Sequence, residues 1–341
     1  MEPRLRRYRT AGHAVVLSFV GLGLAALLNA PGLHKRAEIQ PPGFGRDVAV
    51  ALTKPLAQTS HALLLDRPRR GLKDALGRGA DDRIDTRVVI GPVGPSKPPP
   101  ATHASDRVKA HHASSPVKPS FNPPHPLRIW VAGDSLVAVP GQALERAVGS
   151  GGTIDVLAVE SRVATGLGRS EIYNWFERFR SVIAAVRPRV AVLSFGSNDG
   201  HDYMSGVPAG HTIGKLGSPS WMAEYRRRIS GVTEEFAQAG TYVVWLGLPI
   251  PRGNGYREGF VDVNRVLRAV AAAHPHSASF VDTWSMFEDS HGRYADYVRD
   301  AAGRLVRMRA ADGVHYAPAA GDLIAHTVLR LLKAKFALAS R

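Results

Sequence analysis

Cysteine is absent from the 341 residues of the chain. Thiol catalysis, cysteine-ligated zinc, iron–sulfur clusters and disulfides are therefore excluded, and stability has to come from an ordinary packed core. Acidic residues are also scarce, with 29 Asp and Glu against 44 Lys and Arg, so the formal net charge is +15. A metal site would have to be built from His, Asp or Glu, and no motif in the sequence requires a metal or an organic cofactor.

The positive charge is concentrated in the front of the chain. Residues 1–128 contain 20 Lys and Arg against 9 Asp and Glu, whereas residues 129–341 contain 24 against 20. A strongly basic domain is typical of nucleic-acid binding, but the back of this chain is nearly balanced. The distribution therefore predicts no nucleic-acid partner.

A long apolar run without charge lies near the N-terminus, at Ala14–Ala30. Counted out to Leu33 it reaches the roughly 20 residues that span a bilayer. Leu28 at the −3 position argues against cleavage of a signal peptide after the run. Four arginines precede it, Arg4, Arg6, Arg7 and Arg9. We therefore predict a cytoplasmic N-terminus over residues 1–12 and an uncleaved signal-anchor helix over residues 13–33, in the inner (cytoplasmic) membrane.

Two further segments precede the back of the chain. Residues 34–90 form a membrane-proximal basic segment, whose cations either attract lipid headgroups or make a solvated face. Residues 91–126 hold ten of the 24 prolines, a composition that cannot build a packed core and predicts a stiff, extended linker. Three histidines of the linker, His103, His111 and His112, lack the spacing of a metal site.

From residue 127 the pattern changes to short apolar, β-branched runs separated by amphipathic stretches of helical length. This alternation is typical of a parallel sheet built from βαβ units. The predicted strands are Arg128–Ala132, Thr153–Val159, Arg189–Phe195, Thr241–Leu248 and Ser279–Asp282. The predicted helices are Gly141–Val148, Ser170–Val186, Pro219–Ala239, Val261–Ala273 and Ala319–Leu338, with a hairpin over Arg293–Arg309. We therefore predict one α/β domain over residues 127–341.

The loops at the carboxyl ends of the strands carry the residues needed for acyl transfer. A serine hydroxyl such as Ser135 becomes a nucleophile when a base takes its proton, and His315 is suited to that role. Asp312, three residues earlier, can accept the other ring N–H of the histidine. The N–H groups of Ser135 and Gly166 and the amide of Asn198 can form an oxyanion hole.

Four motifs in the order GDSL, a loop glycine, GSND and DGVH resemble the four blocks of the SGNH, or GDSL-type, hydrolases. Ser135, Gly166, Asn198 and His315 stand at the naming positions. The resemblance implies a flavodoxin-like three-layer sandwich with a five-stranded parallel sheet. It also implies Ser135 as nucleophile and Asp312 and His315 as its triad partners. With its predicted anchor, the chain is similar to a periplasmic branch of the family whose substrates are poorly defined.

The sequence also shows one departure from the family. Val139 stands four residues after the serine, where the family often has glycine, and Gly141 follows two places on. This departure bears on substrate fit more than on the nucleophile. The elbow of ordinary α/β hydrolases, G-x-S-x-G, is not matched, because Val137 occupies its last position.

Each motif also has a plainer interpretation. Ser135 is a candidate helix N-cap, and the other three motifs contain ordinary turn residues. His291 is a rival base, because it too follows an aspartate. Asp134 and Asp199 are predicted to order their loops. The aromatic residues of the second helix are predicted to be core; they are Trp175, Phe176 and Phe179.

These patterns predict a serine esterase or O-acyltransferase that forms an acyl-serine intermediate. The predicted substrates are acylated, most simply O-acetylated, glycans of the cell envelope, with the catalytic domain in the periplasm. Hydrolysis and transfer differ only in whether water or a sugar hydroxyl resolves the intermediate, and a transferase would need an acyl-donor membrane partner. The alternative is a non-catalytic envelope protein that binds a glycan in the same pocket.

Overall fold

The computed structural model describes residues 11–38, 40, 44–75, 86–91, 118–208, 210–300 and 302–339. The chain divides into two compact units, Met1–Asp85 and Thr86–Arg341. The described part of the first unit contains four helices: α1 (Ala11–Leu28), α2 (Ala30–Glu38), α3 (Phe44–Ala62) and α4 (Arg67–Ala75). Most of the predicted linker, with His103, His111 and His112, and most of the predicted cytoplasmic N-terminus lie outside the described residues.

The single helix predicted over residues 13–33 is two helices in the structure. In the described part of the chain no single helix is long and apolar enough to cross a membrane, although Gly12–Leu28 and Ala30–Glu38 pass that test together as a pair bent by 71°. Pro31 explains the break, because proline has no N–H to continue the helical hydrogen bonds. The predicted anchor is therefore not shown as one continuous span.

The second unit is built on a five-stranded parallel sheet, as the sequence predicts. The order of its strands is β3-β2-β4-β5-β6. Their bounds are β2 (Leu127–Gly133), β3 (Ile154–Ser161), β4 (Val190–Ser194), β5 (Tyr242–Leu246) and β6 (Ala278–Val281). All four pairs of neighbouring strands run parallel, so their carboxyl ends meet at one edge. That edge carries the loops predicted to hold the chemistry.

Helices cover both faces of this sheet and complete a three-layer sandwich. Five helices flank it: α5 (Ala138–Val148), α6 (Trp175–Ala185), α7 (Pro219–Gln238), α8 (Asn254–Ala273) and α10 (Pro318–Lys335). The pair α5 and α10 pack together on one face, and α6, α7 and α8 pack in sequence on the other. A four-residue helix, α9 (Thr283–Met286), follows β6. The predicted sandwich is confirmed.

Two small strand pairs complete the unit. The hairpin predicted over Arg293–Arg309 is present as antiparallel β7 (Tyr297–Arg299) and β8 (Leu305–Arg307). At the opposite end of the domain, β1 (Ser120–Phe121) pairs in parallel with β9 (Ala337–Leu338).

The core between the sheet and α6–α7 is aromatic. Trp130 of β2 packs edge-on against Phe179 and lies against Phe236, with ring centroids 6.1 and 6.2 Å apart. The predicted core residues Trp175, Phe176 and Phe179 are fully buried, which confirms that prediction. Burial of such large rings supplies much of the hydrophobic stabilisation of a domain that lacks disulfides.

The residue that departs from the family pattern lies at a close helix contact. A Cβ added to Gly321 of α10 would lie 2.7 Å from Cγ1 of Val139 on α5. A Cβ added to Gly141 would lie 2.5 Å from Cγ1 of Val159 on β3. Val139 is thus accommodated by a glycine on the neighbouring helix, and Gly141 allows α5 to approach the sheet closely.

Candidate active site

Ser135 is the first residue of a 3-10 turn, Ser135–Val137, immediately after β2. The cap of this turn is Asp134, whose Oδ1 accepts the Leu136 N–H at 3.0 Å. The N-cap interpretation of Ser135 is therefore replaced by a cap at Asp134. Gly133 lets the strand end lie against β4, because a Cβ there would sit 2.1 Å from the carbonyl oxygen of Ser194. The half-buried Ser135 is in this way held at the edge of the sheet.

The structure brings together the three residues predicted as a triad. Nε2 of His315 lies 2.8 Å from Oγ of Ser135, across 180 positions of sequence. Nδ1 of the same ring lies 2.6 Å from Oδ2 of Asp312. This is the geometry in which a base contacts the nucleophile and is itself oriented by a carboxylate. The rival His291 lies on another loop, where its N–H donates to Oδ1 of Asp289.

The loop that carries the histidine organises its own carboxylate. Oδ1 of Asp312 accepts the N–H groups of Val314 at 2.8 Å and of His315 at 2.9 Å. Partial burial raises the pKa of Asp312, but these two N–H groups and the imidazole outweigh it and lower the pKa to about 2. Gly313 adopts a φ of +73°, which favours glycine. Asp312 is therefore an anion throughout the neutral range.

A buried arginine, Arg309, donates hydrogen bonds to the backbone of this loop. The side chain of Arg309 is fully buried, and no ion pair of Arg309 is found in the described part of the chain. Its guanidinium donates to the carbonyl oxygens of Val314 at 2.7 Å, Gly313 at 3.3 Å and His315 at 3.4 Å. It also donates at 2.6 Å to the carbonyl of Ile250, in the loop after β5. Arg309 therefore ties the histidine loop to the neighbouring strand end.

Two of the predicted oxyanion-hole donors are backbone N–H groups, one in the Ser135 turn and one in the Gly166 loop. Within the described residues, no hydrogen bond from the N–H of Ser135 or from the N–H of Gly166 is found. Asn198 Nδ2 donates to the carbonyl of Thr165 at 3.0 Å and to Oγ of Ser197 at 3.1 Å. The structure thus places the side chain of Asn198 against the Gly166 loop, with its amide hydrogens engaged.

Two buried aspartates order these loops, in the places where the sequence predicts that role. Asp199 accepts the N–H groups of Leu167 and Gly168 and the hydroxyl of Tyr225, at 2.8–3.0 Å. A Cβ on Gly166 would lie 2.0 Å from Oδ1 of Asp199, so the loop requires glycine there. Burial raises the pKa of Asp199, and the hydrogen bonds from these donors offset only part of that rise.

Asp134 links the first and third blocks. Besides capping the turn, it accepts the Ser197 N–H at 3.0 Å through Oδ2. Complete burial raises the pKa of Asp134 to about 6, even though the N–H groups of Leu136 and Ser197 favour its anion. The carboxylate of Asp134 therefore joins the Ser135 turn to the Asn198 loop.

The sequence gives no sign of Arg309, or of a second buried arginine, Arg228. Arg228 donates at 2.6 Å to the carbonyls of Leu167 and Ser205 and pairs at 2.8 Å with Glu224. Both arginines donate to backbone carbonyls, a role that carries no sequence motif. A reading based on motifs alone therefore misses them.

The site itself is open to solvent. The side chain of His315 is 41% exposed and that of Asp312 is 51% exposed. Water can thus reach the imidazole of His315 and the carboxylate of Asp312.

Comparison with known proteins identifies a family. The model described as "Protein of unknown function (DUF459)" matches residues 128–331. No curated protein matches the chain at a significant level.

Solved structures with a similar arrangement are distant in sequence. The protein named TesA is 20% identical, with 61% of this chain and 99% of that chain covered and a TM-score of 0.41. A GDSL-like lipase from Bacteroides thetaiotaomicron is 14% identical over 61% of this chain and 88% of its own, with a TM-score of 0.42. A catalytic mutant of an acetylxylan esterase from Geobacillus stearothermophilus is 17% identical over 63% and 97%, with a TM-score of 0.42. Values this low carry no argument about activity.

The resemblance to SGNH hydrolases is confirmed in the chain itself, since all four blocks converge on one edge of a five-stranded parallel sheet. The family model covers more than half of the chain, from β2 to α10. The chain therefore belongs to the DUF459 family.

Proposed function

We propose that the protein is a serine esterase or O-acyltransferase that works through an acyl group on Ser135. The hydrogen-bonded series from Ser135 to His315 to Asp312 carries this proposal. A serine with a base at 2.8 Å and a base with a carboxylate at 2.6 Å is an arrangement suited to nucleophilic catalysis.

The steps follow from these contacts. His315 takes the proton of the Ser135 hydroxyl while Oγ attacks the carbonyl carbon of an ester. The N–H groups of Ser135 and Gly166 stabilise the oxyanion, and Asn198 joins them if its amide turns from the Thr165 carbonyl. His315 then gives its proton to the departing alkoxide, which leaves as an alcohol with the acyl group on Ser135. Asp312, as an anion, stabilises the imidazolium throughout.

Resolution of the acyl-enzyme decides between hydrolysis and transfer. If His315 deprotonates water, the products are a carboxylic acid and free Ser135; if it deprotonates a sugar hydroxyl, a new ester forms. The exposure of His315 and Asp312 supports an ester carried by a large molecule, because the reacting edge is open. On this basis we propose O-acylated glycans, with acetyl as the acyl group.

The proposed setting is the cell envelope, with the catalytic domain outside the cytoplasm. Support comes from the four arginines before the uncharged run at Ala14–Ala30. A transferase would also need an acyl donor delivered by a membrane partner. A phosphatase that is active only in the periplasm, joined after Pro126, should be active; an inactive but stably produced fusion would contradict this setting.

The test of the activity uses the purified full chain in detergent. We expect it to release acetate from an aryl acetate and from an O-acetylated polysaccharide, and to become labelled by a fluorophosphonate at Ser135. Addition of unacetylated sugar shows whether the acyl group moves to a hydroxyl. Binding of the polysaccharide without turnover or labelling would support the glycan-binding alternative instead.

A further inference from the structure

A short segment ahead of the predicted linker packs on the catalytic domain. Residues Thr86–Gly91 belong to the same compact unit as the sheet. Their side chains alternate as in an extended strand: Val88 and Ile90 pack against the core, while Val89 is 47% exposed. We name this segment the strap.

The domain is shaped around the strap by two glycines. A Cβ added to Gly231, in the middle of α7, would lie only 1.6 Å from Cγ2 of Ile90. A Cβ added to Gly206, which has a φ of +67°, would lie 2.1 Å from the carbonyl oxygen of Thr86. Any side chain at either position would therefore displace the strap.

Polar groups of α6 and α7 complete the binding of the strap. Nδ2 of Asn174, the residue that caps α6, donates to the carbonyl of Arg87 at 2.9 Å. The N–H of Gly91 donates at 3.0 Å to Oε1 of Glu235, a side chain that is only 1% exposed. Arg180 donates to the same oxygen at 2.9 Å. The strap thus gives Oε1 of this buried carboxylate a backbone donor beside the guanidinium of Arg180.

The last part of the predicted linker also lies on this domain. The N–H of Ala337 donates to the carbonyl of Pro119 at 3.0 Å, and Ser120 and Phe121 pair with Ala337 and Leu338. Phe121 packs edge-on against Phe336, with ring centroids 5.6 Å apart. Both flanks of residues 92–117 are therefore fixed to one domain.

We propose that the groove between α6 and α7 is a docking surface for the strap, and that the docked strap sets where residues 1–85 leave the catalytic domain. In this arrangement the segments on either side of residues 92–117 are both held on one domain, so the predicted linker does not set the distance between that domain and residues 1–85. The exit point lies beside Gly206, on the loop that follows Asn198 and Asp199. This proposal is independent of the chemistry at Ser135.

The absence of cysteine gives a direct test in the full chain. A Cβ at Gly231 would lie 2.9 Å from Cβ of Ile90, so the pair Ile90→Cys and Gly231→Cys needs only a small shift to reach disulfide geometry. The matched control is Val89→Cys with Ile90→Ala and Gly231→Cys, since Val89 points outward and the shortened residue 90 removes the Cγ2 that would clash with the new side chain. After mild oxidation we expect the first pair to lose its free thiols at least about tenfold faster than the control. Peptide mapping should show the linked pair within one chain.

Gly231→Ala alone provides a second measurement. Alanine is a better helix former than glycine, so α7 should remain folded while the new methyl group displaces Ile90. We expect faster hydrogen exchange at Val88–Gly91 in Gly231→Ala. The melting temperature of Gly231→Ala should be no lower than that of a second variant, Ile90→Asp. Equal oxidation rates in the two cysteine pairs, or unchanged exchange in Gly231→Ala, would overturn the proposal.

Discussion

Replacing Ser135 with alanine is expected to lower kcat for an aryl acetate by about 10⁶-fold, the scale seen when the nucleophile of a serine triad is removed. The substitution deletes the oxygen that lies 2.8 Å from Nε2 of His315 and leaves the backbone donors in place. A small residual rate is expected from those donors alone. Steady-state kinetics and fluorophosphonate labelling of the full chain measure the effect.

The control for this variant is Ser181→Ala, which removes an exposed hydroxyl from α6. It should keep both wild-type turnover and wild-type labelling. Labelling of Ser135→Ala at the wild-type level would mean that another residue is the nucleophile, and the triad proposal would then fail even if the esterase activity were real.

Arg309→Met is expected to weaken both the fold and the site. Methionine removes the donors from four carbonyl oxygens, and buried acceptors without donors are costly, so we expect a loss of stability on the order of 3 kcal/mol. The loss is partly offset because a buried charge is also removed. At temperatures well below unfolding, kcat/KM should still fall by about 100-fold, since His315 is no longer held in place.

Thermal unfolding and kinetics on the same samples separate the two effects of Arg309. The proton that His315 shares with Asp312 should also lose its downfield NMR resonance in Arg309→Met. Arg304→Met is the matched control, because Arg304 lies on the same hairpin with its side chain 79% exposed. A variant that is destabilised but retains wild-type kcat/KM and this resonance would show that Arg309 supports the fold without positioning the histidine.

Much of the sheet is predictable from the sequence, because buried parallel strands leave continuous apolar runs. Each predicted strand overlaps an observed one, with ends that differ by one or two residues. Helix starts are less predictable: α6 begins at Trp175 and not at Ser170, because the side chain of Asn174 accepts the N–H groups of Phe176 and Glu177. The helix predicted from Val261 begins at Asn254, seven residues earlier, where Gly253 offers no capping side chain.

The candidate site is predictable where a residue type is tied to a reaction. The structure brings Ser135, Asp312 and His315 together as the motifs suggest. The contacts of the buried arginines are not predictable in this way. Their guanidinium groups bond to backbone carbonyls, which every residue type has. The fit of Ile90 over Gly231 is likewise a match of shapes between distant segments. The break between α1 and α2 depends on a proline whose effect a hydropathy count ignores.

The two fixed flanks of residues 92–117 have a consequence for how freely this stretch can vary in sequence. Closing a longer loop costs little additional entropy, about 0.6 kcal/mol for each doubling of its length. With Gly91 and Pro119 both bonded to the domain, insertions, deletions and changes of composition between them leave the exit point of the chain unchanged. Changes of sequence between these two points should therefore be tolerated. An epitope tag or a fluorescent domain inserted there should be tolerated as well.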